Sequence, residues 1–504
     1  MFASAAPLVL VAAGTPMVFG FSPDQLVPVQ FSHTLDVGFG NSIFVSGTGP
    51  ELGSNDLTIA PKLTYNTGAV WRGTIGLPPQ TGITYRFYNR SDSYANVGSP
   101  SNGTPIGSQQ TTTTTSSSGG LPLATTKTLY YLSSWAQPHL LVETSPGIFS
   151  DTTMTNVAAG RSVAERRWRA NGFGSPGRAV KFKLTDGVSG VDFAAGGALY
   201  ETYLDVAWLQ DGGIYNYEPA GGVSTSRIEV LPAVSSPQGL LSRQLRVYLP
   251  RGYDSHPTRR YPVLYMHDGQ NLYGATGSGF PPVHWNVDGT LDRMTAHGQV
   301  RELIVVGIDN TADRNTEYVP PLAPPGGISN GKAEKYVAFV RDTLKPLIDA
   351  GYRTLTDAAN TGVAGSSLGG IVSTYFGLEA PGSFSRIGAL SPAYWTNVDV
   401  AARLTTEASL PAWRHYMDCG TAGATANGSP DGFNDCIDAR DRMLRRGQVL
   451  NVHVLNVIGF GQQHNETAWQ SRFPYTARFL FPIEDESNAL VGATASVGQE
   501  WNLY

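Results

Sequence analysis

Charge is scarce in this 504-residue chain. Lys, Arg, Asp and Glu make up 15% of it, against about 25% in an average soluble protein. The 35 basic and 40 acidic side chains leave a net charge of −5 and are scattered. No basic stripe of the kind that tracks a phosphate backbone or an anionic bilayer is present, so neither nucleic acid nor membrane is expected as a partner. Cysteine is almost missing: only Cys419 and Cys436 occur. Without a matching histidine pattern they make no zinc site, and no metal or organic cofactor is expected. The first charged residue is Asp24. The apolar stretch Pro7–Ala13 before it lacks the basic flank of a secretory signal, and Gly14, Pro16 and Gly20 argue against a spanning helix. Residues 1–23 read as a degenerate signal-like segment, and the expected location is secreted or periplasmic. No later run is long and apolar enough to cross a bilayer.

Glycine and proline, by contrast, are plentiful at 58 and 33 residues, and 41% of the chain is hydrophobic. That describes a folded, loop-rich protein too long for one core. Residues 24–92 read as short strands (Val27–Phe31, Ser42–Ser46, Ile83–Tyr88) between turn signals. From Ser93 to Thr126 no charge occurs and Thr, Ser and Gly dominate, the composition of a linker or long loop. Residues 127–222 are again strand-rich, and Trp208, Tyr215 and Tyr217 there suggest either a binding face or a sandwich core.

From about 226 to 483 buried-type strands (Tyr261–Met266, Glu302–Ile308, Arg386–Leu390, Asn451–Ile458) alternate with helical patterns such as Lys332–Ile348. That alternation implies a mostly parallel sheet covered on both faces. The expected architecture is two N-terminal β-modules, read as β-sandwiches, followed by an α/β domain, with a tail at 484–504.

Within that last domain Gly365-Ser-Ser-Leu-Gly369 sits between a strand-like and a helix-like stretch. A G-x-S-x-G elbow in that context holds Ser367 clear of the backbone as a nucleophile and aims the amide of Leu368 at the reacting carbon. A serine needs a base. In α/β-hydrolases the chain order is Ser, acid, His, with the His after the last strand, which selects His464. The acid should follow the preceding strand, Arg414–Cys419. Asp431 on the loop is the leading candidate, with Asp418 inside the strand and Asp435, a possible helix N-cap, as alternatives. An exporting context favours a Cys419–Cys436 disulfide, which would clamp the loop bearing Asp431. The second oxyanion donor is expected from His267-Asp-Gly-Gln-Asn-Leu272, with Gln270 as the donor.

The whole stretch from about 226 to 483 resembles the esterase-D-like family of α/β-hydrolases, which includes feruloyl and acetyl-xylan esterases of carbohydrate esterase family 1. The matching pieces are Arg260–Leu272, Trp285–Asp288, Arg314–Tyr318, Pro346–Asp349 with Tyr352–Thr354, Gly365–Gly370, and His464–Trp469 with Arg472. The resemblance implies a nucleophile at Ser367, a base at His464 and oxyanion amides at Leu368 and Gln270. Many members carry Gly-Thr-x-Asp/Glu at the acid; here Gly420-Thr421 is followed by Ala422-Gly423. Asn271, Trp285 and Trp395 are candidates for the substrate pocket, the tryptophans being equally readable as core. Arg314, Glu317 and Tyr318 suit either a buried brace or substrate contacts. Residues 25–92 resemble a starch-binding module of carbohydrate-binding family 20 through Ile43–Gly47, Glu51–Gly53, Leu63, Trp71, Leu77-Pro78 and Tyr85–Phe87. Asn55 stands where that family usually has a sugar-stacking Trp.

The function implied is a secreted serine carboxylic-ester hydrolase that works through an acyl-enzyme on feruloyl or acetyl esters of plant polysaccharide. Siderophore-ester hydrolases, general carboxylesterases and acyltransferases would use the same residues. A non-catalytic carbohydrate-binding protein is the reading from another class; the intact Ser, His and oxyanion set argues against it.

Overall fold

The computed structural model describes residues 27–483 except 38–40, 49–51, 53–59, 67–68, 78–81, 92–102, 114–126, 175–179, 195–196, 203, 205, 216–218, 220–224, 275–282, 297–298, 322–329 and 424–428. The signal-like segment, the C-terminal tail and Asn55 therefore lie outside the described residues.

The first module is a pair of three-stranded sheets. One orders its strands 27–34, 70–77, 64–66 and the other 41–47, 82–91, 103–113. Alternation along each strand turns Ile43, Val45, Trp71, Ile75, Leu77, Ile83 and Phe87 into a shared core. The strand Gly103–Thr113 corrects one expectation. It lies within the stretch whose composition suggests a linker, yet it pairs antiparallel with 82–91. Threonine is β-branched, so a Thr-rich run that lacks charge suits an outer strand as well as a loop.

The second module packs a five-stranded sheet (155–159, 166–171, 128–133, 206–210, 213–215) against one ordered 191–192, 180–185, 139–145, 148–153. Leu129, Leu140, Phe182, Leu184 and Tyr200 fill the space between them. Trp208 is half-buried, stacked on Tyr130 at 4.1 Å with the Arg167 guanidinium 4.8 Å from its ring.

The α/β domain is built on eight strands: β1 (Arg227–Val234), β2 (Arg243–Leu249), β3 (Val263–His267), β4 (Ile304–Ile308), β5 (Thr361–Ser366), β6 (Arg386–Leu390), β7 (Arg414–Gly420) and β8 (Val454–Gly459). Their order is β1-β2-β4-β3-β5-β6-β7-β8. The first two pairings are antiparallel and all others parallel. Strands β3 to β7 are buried along almost their whole length, as a sheet covered on both faces requires. The covering helices include α1 (Val287–Ala296), α2 (333–351, with a π-turn at Val340–Leu344), α3 (Leu368–Glu379), α4 (Val398–Thr406), α5 (Phe433–Arg445) and α6 (Glu466–Leu480). Because parallel strands all end on the same side, β3, β5, β7 and β8 deliver their following loops to one rim.

The modules are joined through side chains. Leu450, in the turn before β8, is buried in the core of the first module, and its carbonyl accepts from Gly76 N at 2.9 Å. Ile483, just past α6, enters the core of the second. Leu450→Ala removes a buried anchor and should destabilise the first module by about 2–5 kcal/mol. Denaturant unfolding of the full chain checks this, and an unchanged midpoint for that module contradicts it.

Two histidines lie inside this core. His267, at the end of β3, bonds Tyr336 Oη at 2.9 Å, and His415, in β7, bonds Thr374 Oγ1 at 3.1 Å. Burial disfavours their charged forms and pushes both down to about 3. The unfolded chain titrates histidine near 6.5, so it takes up protons first. Stability from these groups is complete above pH 6.5 and is lost as pH falls toward 3, at about 1.4 kcal/mol per pH unit per histidine. Unfolding free energies measured between pH 7 and pH 5 should fall accordingly, with His415→Gln showing a shallower slope. An unaltered slope in that variant contradicts the assignment.

Candidate active site

Ser367 stands between the end of β5 and the start of α3 with φ 58° and ψ −119°. For a residue with a Cβ that conformation costs of order 1–3 kcal/mol, and backbone bonds hold it in place. Ser367 N donates to Leu390 O at 3.0 Å, and Ala393 N donates to Ser367 O at 3.0 Å. The flanking glycines are a matter of space. A Cβ at Gly365 would lie 2.8 Å from His267 Cδ2, and one at Gly370 would lie 2.9 Å from Pro392 Cα. Leu368 is the first residue of α3, so its N–H is among those that a helix leaves without an intrahelical partner, at the positive end of the dipole.

His464 lies between β8 and α6. Asn465 caps that helix by accepting from Ala468 N at 3.1 Å. The imidazole Nδ1 is 2.6 Å from Asp431 Oδ1. A carboxylate at Nδ1 holds the proton there and leaves Nε2 as the basic nitrogen. The ring is bordered by Trp395 at 5.6 Å and Trp469 at 5.1 Å, both edge-on.

Of the three candidate acids, Asp431 is the one bonded to His464. It is buried at φ 44°, and its second oxygen accepts from Ser391 Oγ at 2.8 Å and from Gly420 N, with Arg472 Nη2 at 3.4 Å. Asp418, fully buried in β7, faces Arg472 instead. Its oxygens meet Arg472 Nε at 3.1 Å, Tyr416 Oη at 2.8 Å and Ser391 N at 3.0 Å. Burial pushes the Asp418 carboxyl upward, and Arg472, Tyr416 and Ser391 N oppose that. Asp435 lies in the first turn of α5, whose N-cap is Gly432.

The expected disulfide is not formed: Cys419 and Cys436 are both free, buried thiols. Cys436 Sγ donates to Asp418 O at 3.4 Å and receives Asn456 Nδ2 at 3.4 Å, and burial raises the Cys419 thiol. Asp431 is held by hydrogen bonds rather than by a bridge.

The loop after β3 forms one 3-10 turn, Gly269–Asn271, behind Asp268 at φ 56°. A Cβ at Gly269 would sit 2.6 Å from the Gly307 carbonyl carbon, so only glycine fits against β4. The Gln270 side chain accepts from Asn310 N at 3.1 Å, so the backbone amide is what Gln270 has to offer a substrate. Arg314 grips Asp268 bidentately at 2.6 and 2.9 Å, and Asn310 Nδ2 donates to it at 2.6 Å. Asp268 N donates to Tyr318 Oη at 3.3 Å. Glu317 is fully buried against Arg243, with both bonds at 2.8 Å. Arg314, Glu317 and Tyr318 are thus a brace behind this loop.

The possible pocket residues divide. Trp395 is half-buried beside His464. Trp285 is 3% exposed and packs on Trp469 and Phe473, so it belongs to the core. Asn271 is also buried, and its carbonyl accepts from Trp285 N at 2.9 Å. Sequence reasoning assigned no role to Ser391 or Arg472. Ser391 Oγ donates to Asp431 and accepts from Trp469 Nε1 at 3.0 Å and Arg472 Nη2 at 2.7 Å, which uses one donor and two lone pairs. A signal for them existed: Trp469 and Arg472 are three residues apart on the helix entered from His464, and so share its face.

The family model described as "Putative esterase" matches residues 241–480, and that of the starch binding domain matches 26–118. The uncharacterized protein YbbA of Bacillus subtilis is 27% identical over 160 residues, 31% of this chain and 58% of that protein. An endo-1,4-beta-xylanase/feruloyl esterase of Xylanibacter ruminicola is 26% identical over 241 residues, 47% of this chain and 29% of that protein. The chain thus spans less than two thirds of either relative. A solved ferulic acid esterase aligns at TM-score 0.38 and 18% identity, over 52% of this chain and 99% of that one. Residues 241–480 form a domain of the esterase family, carried behind a domain of the starch binding family.

Proposed function

We propose that the chain is a serine carboxylic-ester hydrolase that works through an acyl-enzyme. Ser367 Oγ attacks the ester carbonyl while His464 Nε2 takes its proton. The imidazolium so formed is held by Asp431 and returns the proton to the leaving alcohol. The amides of Leu368 and Gln270 receive the oxyanion, each worth about 2.7–4 kcal/mol in the transition state. Water, activated by the same imidazole, then releases the acid. The observation that carries this reading is the 2.6 Å bond from His464 Nδ1 to a buried carboxylate that three further donors immobilise.

For substrate, we propose feruloyl or acetyl groups esterified to plant polysaccharide, outside the cell. The support is the starch-binding-family domain on the same chain and the similarity to a protein named for feruloyl esterase activity. Among the described residues no helix is long and apolar enough to cross a membrane.

Ser367→Ala should lower kcat for p-nitrophenyl acetate by at least about 10⁴-fold; equal turnover by the two proteins defeats the mechanism. Asp431→Asn should cost about 10⁴-fold in kcat with the fold intact. Asp418→Asn should act chiefly on stability, by about 3–5 kcal/mol, because it leaves Arg472 without its main partner. A large kcat loss confined to Asp418→Asn reverses the two roles. A product screen on methyl ferulate, acetylated xylan and short p-nitrophenyl esters tests the substrate class, and turnover of the short synthetic esters alone removes the polysaccharide assignment.

A further inference from the structure

Of the two tryptophans that border His464, one is already committed. Trp469 is 6% exposed, and its Nε1 donates to Ser391 Oγ at 3.0 Å. Trp395 is half-buried, and among the described residues its Nε1 has no acceptor and is not shut off from solvent. A free indole N–H, which can only donate, therefore stands open beside the candidate base.

The chain holds this indole in place. Trp395 is the middle residue of a 3-10 turn, Tyr394–Thr396, that follows β6, and the residues around it are locked inside. Tyr394 Oη bonds Thr374 Oγ1 at 2.9 Å. Asn397 caps α4 by accepting from Asp399 N at 3.1 Å, while its Nδ2 donates to Pro320 O at 3.0 Å. Two residues before the indole, Ala393 N is bonded to Ser367 O, which ties the turn to the elbow. The six-membered ring rests on Gly432, the residue after Asp431: a Cβ there would lie 2.4 Å from Trp395 Cζ3 and 3.1 Å from Cε3. Nε1 lies across the indole from Cζ3, so its N–H is directed away from Gly432.

We propose that Trp395 is the specificity-determining residue of the alcohol side, selecting esters whose alcohol is a sugar hydroxyl. The inference rests on the serine-hydrolase reading above. In that reading His464 Nε2 returns its proton to the leaving alcohol, whose oxygen must then lie about 2.6–3.2 Å from Nε2. Whatever that oxygen carries passes the groups that flank the imidazole. Of the two flanking indoles, Trp395, at 5.6 Å between ring centroids, is the one with open surface and a free donor. An indole joins a flat apolar body to one polar N–H. A sugar ring answers both, with a face of C–H groups and a hydroxyl next to the ester oxygen. A methyl or ethyl alcohol answers neither.

Two ester pairs, each with one acyl group, test this on the full chain. They are methyl ferulate against methyl 5-O-feruloyl-α-L-arabinofuranoside, and ethyl acetate against methyl 2-O-acetyl-β-D-xylopyranoside. The readout is the ratio of kcat/KM, sugar ester over simple ester, in which damage to the catalytic groups cancels. For whichever pair is turned over, the wild-type ratio should be at least about tenfold. Trp395→Ala should abolish that preference, chiefly through KM. Trp395→Phe keeps a ring without the donor and should lower the ratio by about two- to tenfold; it carries the test if the alanine variant fails to fold. A wild type without preference for the sugar ester, or an equal ratio in wild type and Trp395→Phe, overturns the proposal and leaves ester hydrolysis standing. Failure of the wild type to hydrolyse any of the four esters defeats the hydrolase reading itself, and the inference with it.

Discussion

The active rim is organised around one buried cation. Arg472 is among the largest fully buried side chains described, and its guanidinium meets Asp418, Asp431, Ser391 and Gln462. Removing such an ion from water costs several kcal/mol, which is offset only when partners surround it. Here they come from β7, from the loop that follows it, from the segment after β6 and from the loop after β8. One guanidinium therefore ties together every element that positions the acid. Were Arg472 absent, Asp418 and Asp431 would be two buried carboxylates sharing Ser391, with nothing between them to balance their charge.

The consequences run outward from that point. With Asp431 fixed on one oxygen by Ser391 and Gly420 N, its other oxygen is committed to His464. With Ser391 fixed, the stretch 390–393 is set, and its backbone staples the Ser367 turn through Leu390 O and Ala393 N. The proposed acid and nucleophile are thus located by the same short segment. The proposed oxyanion loop has its own support, in which Arg314 on Asp268 and Arg243 on Glu317 do for β3 what Arg472 does for β7. Strained or unusual backbone at Ser367, Ser391, Asp431 and Asp268 persists because these charged braces determine it.

Much of this was legible in the sequence because it rests on local rules. Strand runs such as Arg386–Leu390 came out residue for residue, since a strand buried on both faces is a short apolar word. The elbow has its own spacing, and His464 follows from chain order. What was hidden depends on pairing across distance. Ser391 lies in an ordinary-looking Leu-Ser-Pro, and only folding brings it to Asp431. The cysteines flank the acid loop in a way that suggests a clamp, but Cys436 is turned to the Asp418 carbonyl, and backbone and arginine donors fix the loop. Trp285 reads equally as pocket wall or core in the sequence and proves to be core, because burial of a tryptophan depends on what packs over it. The strand at 103–113 was hidden for the reverse reason, a polar Thr-rich run that pairs only because a neighbour offers an edge.

The central claim is that Ser367 alone becomes covalently acylated, driven by His464 and Asp431. Its most direct measurement is labelling of the full chain with a fluorophosphonate, followed by intact mass and peptide mapping. The account predicts one adduct per chain, on the peptide containing Ser367, formed far more slowly in Asp431→Asn and not at all in His464→Ala. An adduct on another residue, or equal labelling of wild type and the His464 variant, would contradict it.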